Sequence, residues 1–232
     1  MDKVKTISFA ALLILWFFIL LKIVSKNKKK TEYSNVTKTI VRIAIFGAIS
    51  TVLYVVPVFK FPIVFFPQFL EFHFDEIPAL IAGFAYGPLS AFGVLLVKTL
   101  IKLPFSSSLT VGELSDFIYS IVFILPSAFI YKKHRNIKGA LLGLFVGTMC
   151  QLVVSFFVNI FVMIPFYLFV YNMSEEQLLK ICQLANPNIN DIKWGYGLFA
   201  VLPFNAIKDV IVIIVTLIIY KATHKFIDKI QA

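Results

Sequence analysis

Charged side chains are scarce here: 15% of the 232 residues carry one, while 59% are apolar. Soluble domains run closer to a quarter charged, so this chain lacks the polar surface that would keep it dissolved. Cysteine is nearly absent. Cys150 lies in an apolar run and Cys182 in a polar one, which excludes a disulfide framework or a cysteine metal site. Three histidines, His73, His134 and His224, are scattered along the chain. No Walker motif, HExxH pair or nucleophile with a nearby base accompanies them, so no enzyme activity and no cofactor are expected. Also missing are the short alternating segments of a membrane barrel. In their place stand uncharged stretches such as Ala10–Leu21 and Val210–Tyr220. About 20 such residues in a helix cross a hydrocarbon core. The fold class is an all-α integral membrane protein.

The net charge of +10 sits in connectors and tails. Lys22, Lys26 and Lys28–Lys30 form one group, Lys132, Lys133, Arg135 and Lys138 a second, and Lys221, Lys225 and Lys229 a third. Basic residues flanking apolar segments mark cytoplasmic loops, helped by anionic headgroups. This placement argues against nucleic acid as a partner.

The expected path has seven helices. Thr6–Val24 is read as a retained anchor rather than a signal peptide, closed by lysines inside, with the N-terminus outside. Thr37–Pro57 follows. Residues 58–74 form an aromatic outer loop, because Pro57, Pro62 and Pro67 interrupt any helix. Gly87-Pro88 splits the next stretch into Glu76–Tyr86 and Leu89–Lys102. Then come Val111–Tyr131, a long segment Gly139–Val170 with a kink at Pro165, and an outer polar loop from Tyr171 to Gly195. Leu198–Tyr220 returns the chain to a cytoplasmic C-terminus. Two parts are expected: residues 1–30, the extra helix with its basic connector, and 31–232, a six-helix substrate-binding bundle.

Threaded this way, polar residues of separate helices share one depth near the outer end. They are Lys98, Glu113, Asp116, Asn159, Asn205 and Lys208, with Asp75 and Glu76 beside them. Intramembrane charges are costly and point to function, and a few polar groups among apolar walls describe a ligand pocket. Plainer roles exist. Carboxylates favour helix N-termini, lysines snorkel, and Asn159 can clasp two helices. Asn205 and Lys208, three apart after Pro203, share a helix face. Small residues mark close helix contacts: Ala44 and Ala48 around Gly47, and Gly139, Gly143 and Gly147. The alanine pair could serve the bundle or dock a partner subunit.

The runs FDEIPALIAGFAYGPLSA (Phe74–Ala91), VGELSDF (Val111–Phe117) and LPSAFIYKKHRNIKGALLGLFVGT (Leu125–Thr148) resemble the S components of energy-coupling factor (ECF) transporters. So do VNIFVMIPFY (Val158–Tyr167) and LPFNAIKDVI (Leu202–Ile211). The ordered set covers about residues 38–225 and is most similar to the riboflavin-binding type. The resemblance implies a six-helix vitamin-binding subunit, here with one extra N-terminal transmembrane helix. Such subunits work with a membrane coupling subunit and two cytoplasmic ATPases, so ATP hydrolysis would lie in the partners. It implies that Asn159, Asn205 and Lys208 bind the flavin ring, with Lys98 and Glu113 also at the substrate site. Ala44 and Ala48 would dock the coupling subunit. The chain departs from that type around Lys98 (LLVKTL), at Leu109-Thr110, at Asp116 and at Asp209. Another vitamin or heterocyclic precursor therefore stays open as substrate. A structural cell-envelope protein is the reading from a different class.

Overall fold

The computed structural model describes residues 30–63, 65–106 and 108–231. The extra helix expected over Thr6–Val24 lies outside them. The chain forms two compact units, Met1–Arg42 and Ile43–Ala232. The described part of the first is the opening of helix α1 (Lys30–Val55). The second contains the rest and is described below.

A turn at Pro57–Phe59 ends α1 and leads to a two-residue antiparallel ladder, β1 (Phe61–Pro62) with β2 (Glu71–Phe72). The proline-rich segment is thus a small hairpin rather than a span. Next come α2 (Glu76–Tyr86) and α3 (Pro88–Lys102), divided where the sequence predicts. Gly87 adopts φ +96, which an L side chain rarely adopts, and Pro88 opens the next helix with a preset φ. Helix α4 spans Val111–Lys133 and α5 spans Ile137–Val158.

Two widened turns adjoin the asparagines of interest, the first holding Asn159 and the second preceding the helix that carries Asn205. Asn159–Met163 joins α5 to α6 (Ile164–Val170), and Gly197–Val201 precedes α9 (Leu202–Gln231). Each lies just ahead of a proline, Pro165 or Pro203, whose ring cannot donate to the carbonyl four residues back. For Pro203 that carbonyl belongs to Phe199, and Asn186 Nδ2 donates to it at 3.0 Å. The segment expected as an outer polar loop contains helix α7 (Glu175–Ala185) and the short turn α8 (Trp194–Tyr196). A reciprocal capping box between Ser174 and Gln177 starts α7. Leu178 and Cys182 bury its inner face, where burial pushes the Cys182 thiol up to about 12. That makes Cys182 a packing residue rather than a reactive one.

Among the described residues, five helical segments are long and apolar enough to cross a membrane: Asn35–Val55, Pro88–Phe105, Val111–Lys133, Ile137–Val170 and Trp194–Lys221. The shorter Glu76–Tyr86 joins them in the bundle. Burial runs opposite to that of a soluble protein. Leu141, Phe145, Met149, Val153, Phe157 and Phe161 of the long segment are exposed. Gly139, Gly143, Gly147, Gln151, Ser155 and Asn159 of the same segment are buried. Apolar surface outward and small or polar residues inward suit a lipid solvent.

The glycines let α4 and α5 touch backbone to backbone. A Cβ on Gly147 would lie 2.2 Å from the Phe123 carbonyl oxygen, and one on Gly143 2.6 Å from that of Ser127. Gly147→Val therefore forces the two helices apart. We expect a large fall in unfolding temperature and poor recovery of folded protein, measured by size-exclusion chromatography and thermal unfolding in detergent. The exposed control Leu141→Val should behave as wild type.

Candidate functional site

At the bundle end that carries the β1–β2 hairpin, a cavity of about 200 Å³ opens between the helices. Its walls mix aromatic rings (Tyr54, Phe69, Tyr119, Tyr167 and Phe204) with polar groups. Five residues singled out from sequence line it: Glu113, Asp116, Asn159, Asn205 and Lys208. They come from α4, the first widened turn and α9. Segments far apart in the chain thus meet at one level.

Each is held from behind. Glu113 accepts hydrogen bonds from Ser106 and from Ser108 Oγ, the latter at 2.8 Å. Asn159 donates to Tyr119 Oη at 3.0 Å and to the Ser155 carbonyl at 2.9 Å. Its own side-chain oxygen accepts from Tyr196 Oη at 3.2 Å. Asn205 donates to the Val201 carbonyl at 2.9 Å, and its Oδ1 lies 3.5 Å from Gln151 Nε2. Lys208 Nζ donates to Glu76 Oε1 at 3.2 Å and lies 3.7 Å from Asp116 Oδ1. Fixed amides and a fixed ammonium lose little freedom on meeting a ligand.

Lys98 has a different position. It is fully buried and is not on the cavity wall. Its ammonium bonds Asp75, Asp116 Oδ2 at 3.2 Å and Ser120 Oγ at 3.2 Å. Asp75 in turn bonds His73 Nδ1, and its carbonyl accepts from Ser50 of α1. Lys98 is the hub of an ion network that supports the cavity from below. Sequence reasoning placed its depth and left its partners unnamed. It also passed over His73 and Tyr54, which line the cavity with rings 4.8 Å apart. No spacing links His73 to Asp116, forty-odd positions on, although His73 Nε2 sits 3.7 Å from Asp116 Oδ1.

On α1, Gly47, Ser50 and Tyr54 face inward, with Gly47 seated on Val97 of α3. Ala44 and Ala48 lie on the exposed side.

This arrangement, a polar and aromatic pocket at one end of a bundle with an apolar exterior, has a counterpart among known proteins. Residues 38–220 match the family model described as ECF transporter, substrate-specific component. The chain belongs to this family. "Riboflavin transporter RibU" of Staphylococcus aureus (strain TCH60) is 31% identical, over 82% of this chain and 93% of the relative. "Riboflavin transporter FmnP" of Bacillus subtilis (strain 168) is 27% identical, over 81% and 94%. A solved structure described as "Structure and mechanism of the S component of a bacterial ECF transporter" superposes with a TM-score of 0.63 at 29% identity. It covers 82% of this chain and 97% of that one. An S component of this family is a multi-pass membrane protein, and the exposed apolar helices described above are its lipid-facing surface.

Proposed function

We propose that this S component captures riboflavin, or a closely related flavin, from outside the cell and delivers it for ATP-driven uptake. The observation that carries the reading is the meeting of Asn159, Asn205 and Lys208 on one aromatic-walled cavity. A flavin is a flat apolar ring with one polar edge. The two carbonyls of that edge need donors, which Lys208 and the amides supply, and its N–H needs an acceptor, for which Asp116 stands beside Lys208. The riboflavin names of the relatives support the same substrate. The basic clusters at Lys132–Lys138 and after Tyr220 favour a cytoplasmic position for the opposite end of the bundle, with the pocket facing out. Protein purified in detergent should be yellow, or should quench the fluorescence of added riboflavin in a saturable way. A colourless sample that leaves riboflavin fluorescence unchanged rules the reading out.

Energy would come from two ATPases acting through a membrane coupling subunit. The outward alanines of α1 are the proposed docking strip, since small side chains let a partner helix approach closely. Ala44→Trp is expected to leave ligand affinity unchanged and to reduce cellular riboflavin uptake at least about tenfold, because about 1.4 kcal/mol of lost docking suffices for that factor. Uptake at the wild-type rate would remove Ala44 from the interface.

A further inference from the structure

At the other end of α4 from the pocket, a second cavity, of about 360 Å³, opens at the corner between α2 and α3. Tyr86, Leu89 and Phe92 wall it on one side, Leu125 and Phe129 of α4 on the other. A single charged side chain reaches it. Lys132 lays its stem across Gly87, with Cδ 3.9 Å from where a Cβ would stand. Leu89 and Phe129 are exposed, so the cavity is open to the lipid around the bundle.

Lys132 opens a basic run with Lys133, Arg135 and Lys138, all of them exposed. None of the four has an ion pair among the described residues. The sequence has no acidic residue between Glu76 and Glu113, nor between Asp116 and Glu175. Helices α2 to α5 therefore bring no counter-charge to this end of the bundle. An apolar trough that ends in an uncompensated cation fits an amphipathic anion. At a membrane surface that molecule is an anionic phospholipid.

We propose that this cavity is a site for an anionic phospholipid, with an acyl chain along Phe92, Leu125 and Phe129 and the phosphate on the Lys132 ammonium. The chain alone gains nothing over bulk lipid, because lipid tails are as apolar as the side chains they touch. Selection falls on the head group, since each basic residue near the surface favours an anionic lipid. The start of α3 adds to it, because the positive end of that helix dipole borders the same cavity. The trough fixes the lipid in place by seating its chain where Gly87-Pro88 breaks the helix. A lipid held there ties the α2–α3 corner to the end of α4. The site stands whatever the pocket binds; it needs only that this end of the bundle lie at a membrane surface.

The test is lipid titration of the full-length protein in detergent without flavin, at about 0.15 M salt so that distant charges are screened. Native mass spectrometry reads bound lipid, and thermal unfolding reads its effect. Dioleoylphosphatidylglycerol is the probe. Dioleoylphosphatidylcholine carries the same chains without net charge, and glycerol phosphate carries the anionic head alone. Phosphatidylglycerol should be retained and should raise the unfolding temperature saturably, by about 3 °C at several times its half-effect level. Neither control should do so. Lys132→Gln should raise the half-effect level about fivefold, the share of one basic residue near an anionic head group. Lys138→Gln takes the same charge from the run outside the cavity and should change that level by less than about twofold. Leu89→Trp, which fills the trough from an exposed position, should abolish retention. Equal responses to phosphatidylglycerol and phosphatidylcholine overturn the proposal. So do equal losses in Lys132→Gln and Lys138→Gln, which mark diffuse attraction to the basic run, and retention that survives Leu89→Trp. A matching response to glycerol phosphate overturns it in favour of a free-phosphate site, and no lipid retained at all leaves the trough to a protein partner.

Discussion

Lys98→Met should damage the bundle severely, lowering the unfolding temperature by about 10 °C or more. Methionine matches the volume of the stem and keeps its apolar contacts, so packing changes little. What disappears is the ammonium between Asp75, Asp116 and Ser120. Two carboxylates then lose their nearest cation in a fully buried setting. Breaking a buried pair from one side costs about 3–5 kcal/mol, a large share of the 5–15 kcal/mol that holds a typical domain. At about 2–4 °C per kcal/mol for a chain of this size, the expected drop follows. The partner substitution separates charge from shape. Lys98→Met combined with Asp75→Asn removes one charge from each side, and a double-mutant cycle should recover part of the loss. If Lys98→Met unfolds with the wild-type midpoint, the network is not a support for the fold. Ligand affinity, measured well below the midpoint, should fall less than it does for Lys208 variants, because Lys98 does not reach the cavity wall.

Lys98 also shows what a sequence can and cannot convey here. Hydropathy and length locate residues along the membrane normal, so the common depth of Glu113, Asn159, Asn205 and Lys208 was legible. Depth says nothing about which neighbour a side chain meets. The pairing of Lys98 with Asp75 and Asp116 joins three separate segments, and it turns an expected ligand contact into a support beneath the pocket. The break at Gly87-Pro88 was legible because both residues act on their own backbone, one through positive φ and one through a missing N–H. Helix α7 was not, since its polar surface hid an apolar stripe of few residues inside a stretch expected as loop. Its Ser174 and Gln177 do form a local signature, and that spacing could have revealed the helix. The widened turns were half legible. Pro165 announced a distortion, but not that the extra turn would set Asn159 against Tyr119 and Tyr196.

Lys208→Met should abolish tight flavin binding, weakening it on the order of 100-fold. A hydrogen bond from a charged donor contributes about 1.5–3 kcal/mol, and each 1.4 kcal/mol is tenfold in affinity. The same substitution strips Glu76 and Asp116 of a cation, so a loss of stability accompanies the loss of binding and could be mistaken for its cause. A double substitution separates the two. In Lys208→Met with Glu76→Gln, the amide keeps an oxygen for Ser120 and carries no charge that needs neutralising. Stability should return toward wild type while flavin affinity stays low. Asn205→Ala, which removes a pocket amide and leaves the ion pairs intact, should weaken binding about tenfold with a nearly unchanged unfolding temperature. Riboflavin fluorescence titration alongside thermal unfolding reads both quantities on one preparation. Were the double variant to regain affinity together with stability, Lys208 would be a structural lysine and the cavity would recognise its ligand through Asn159 and the aromatic walls.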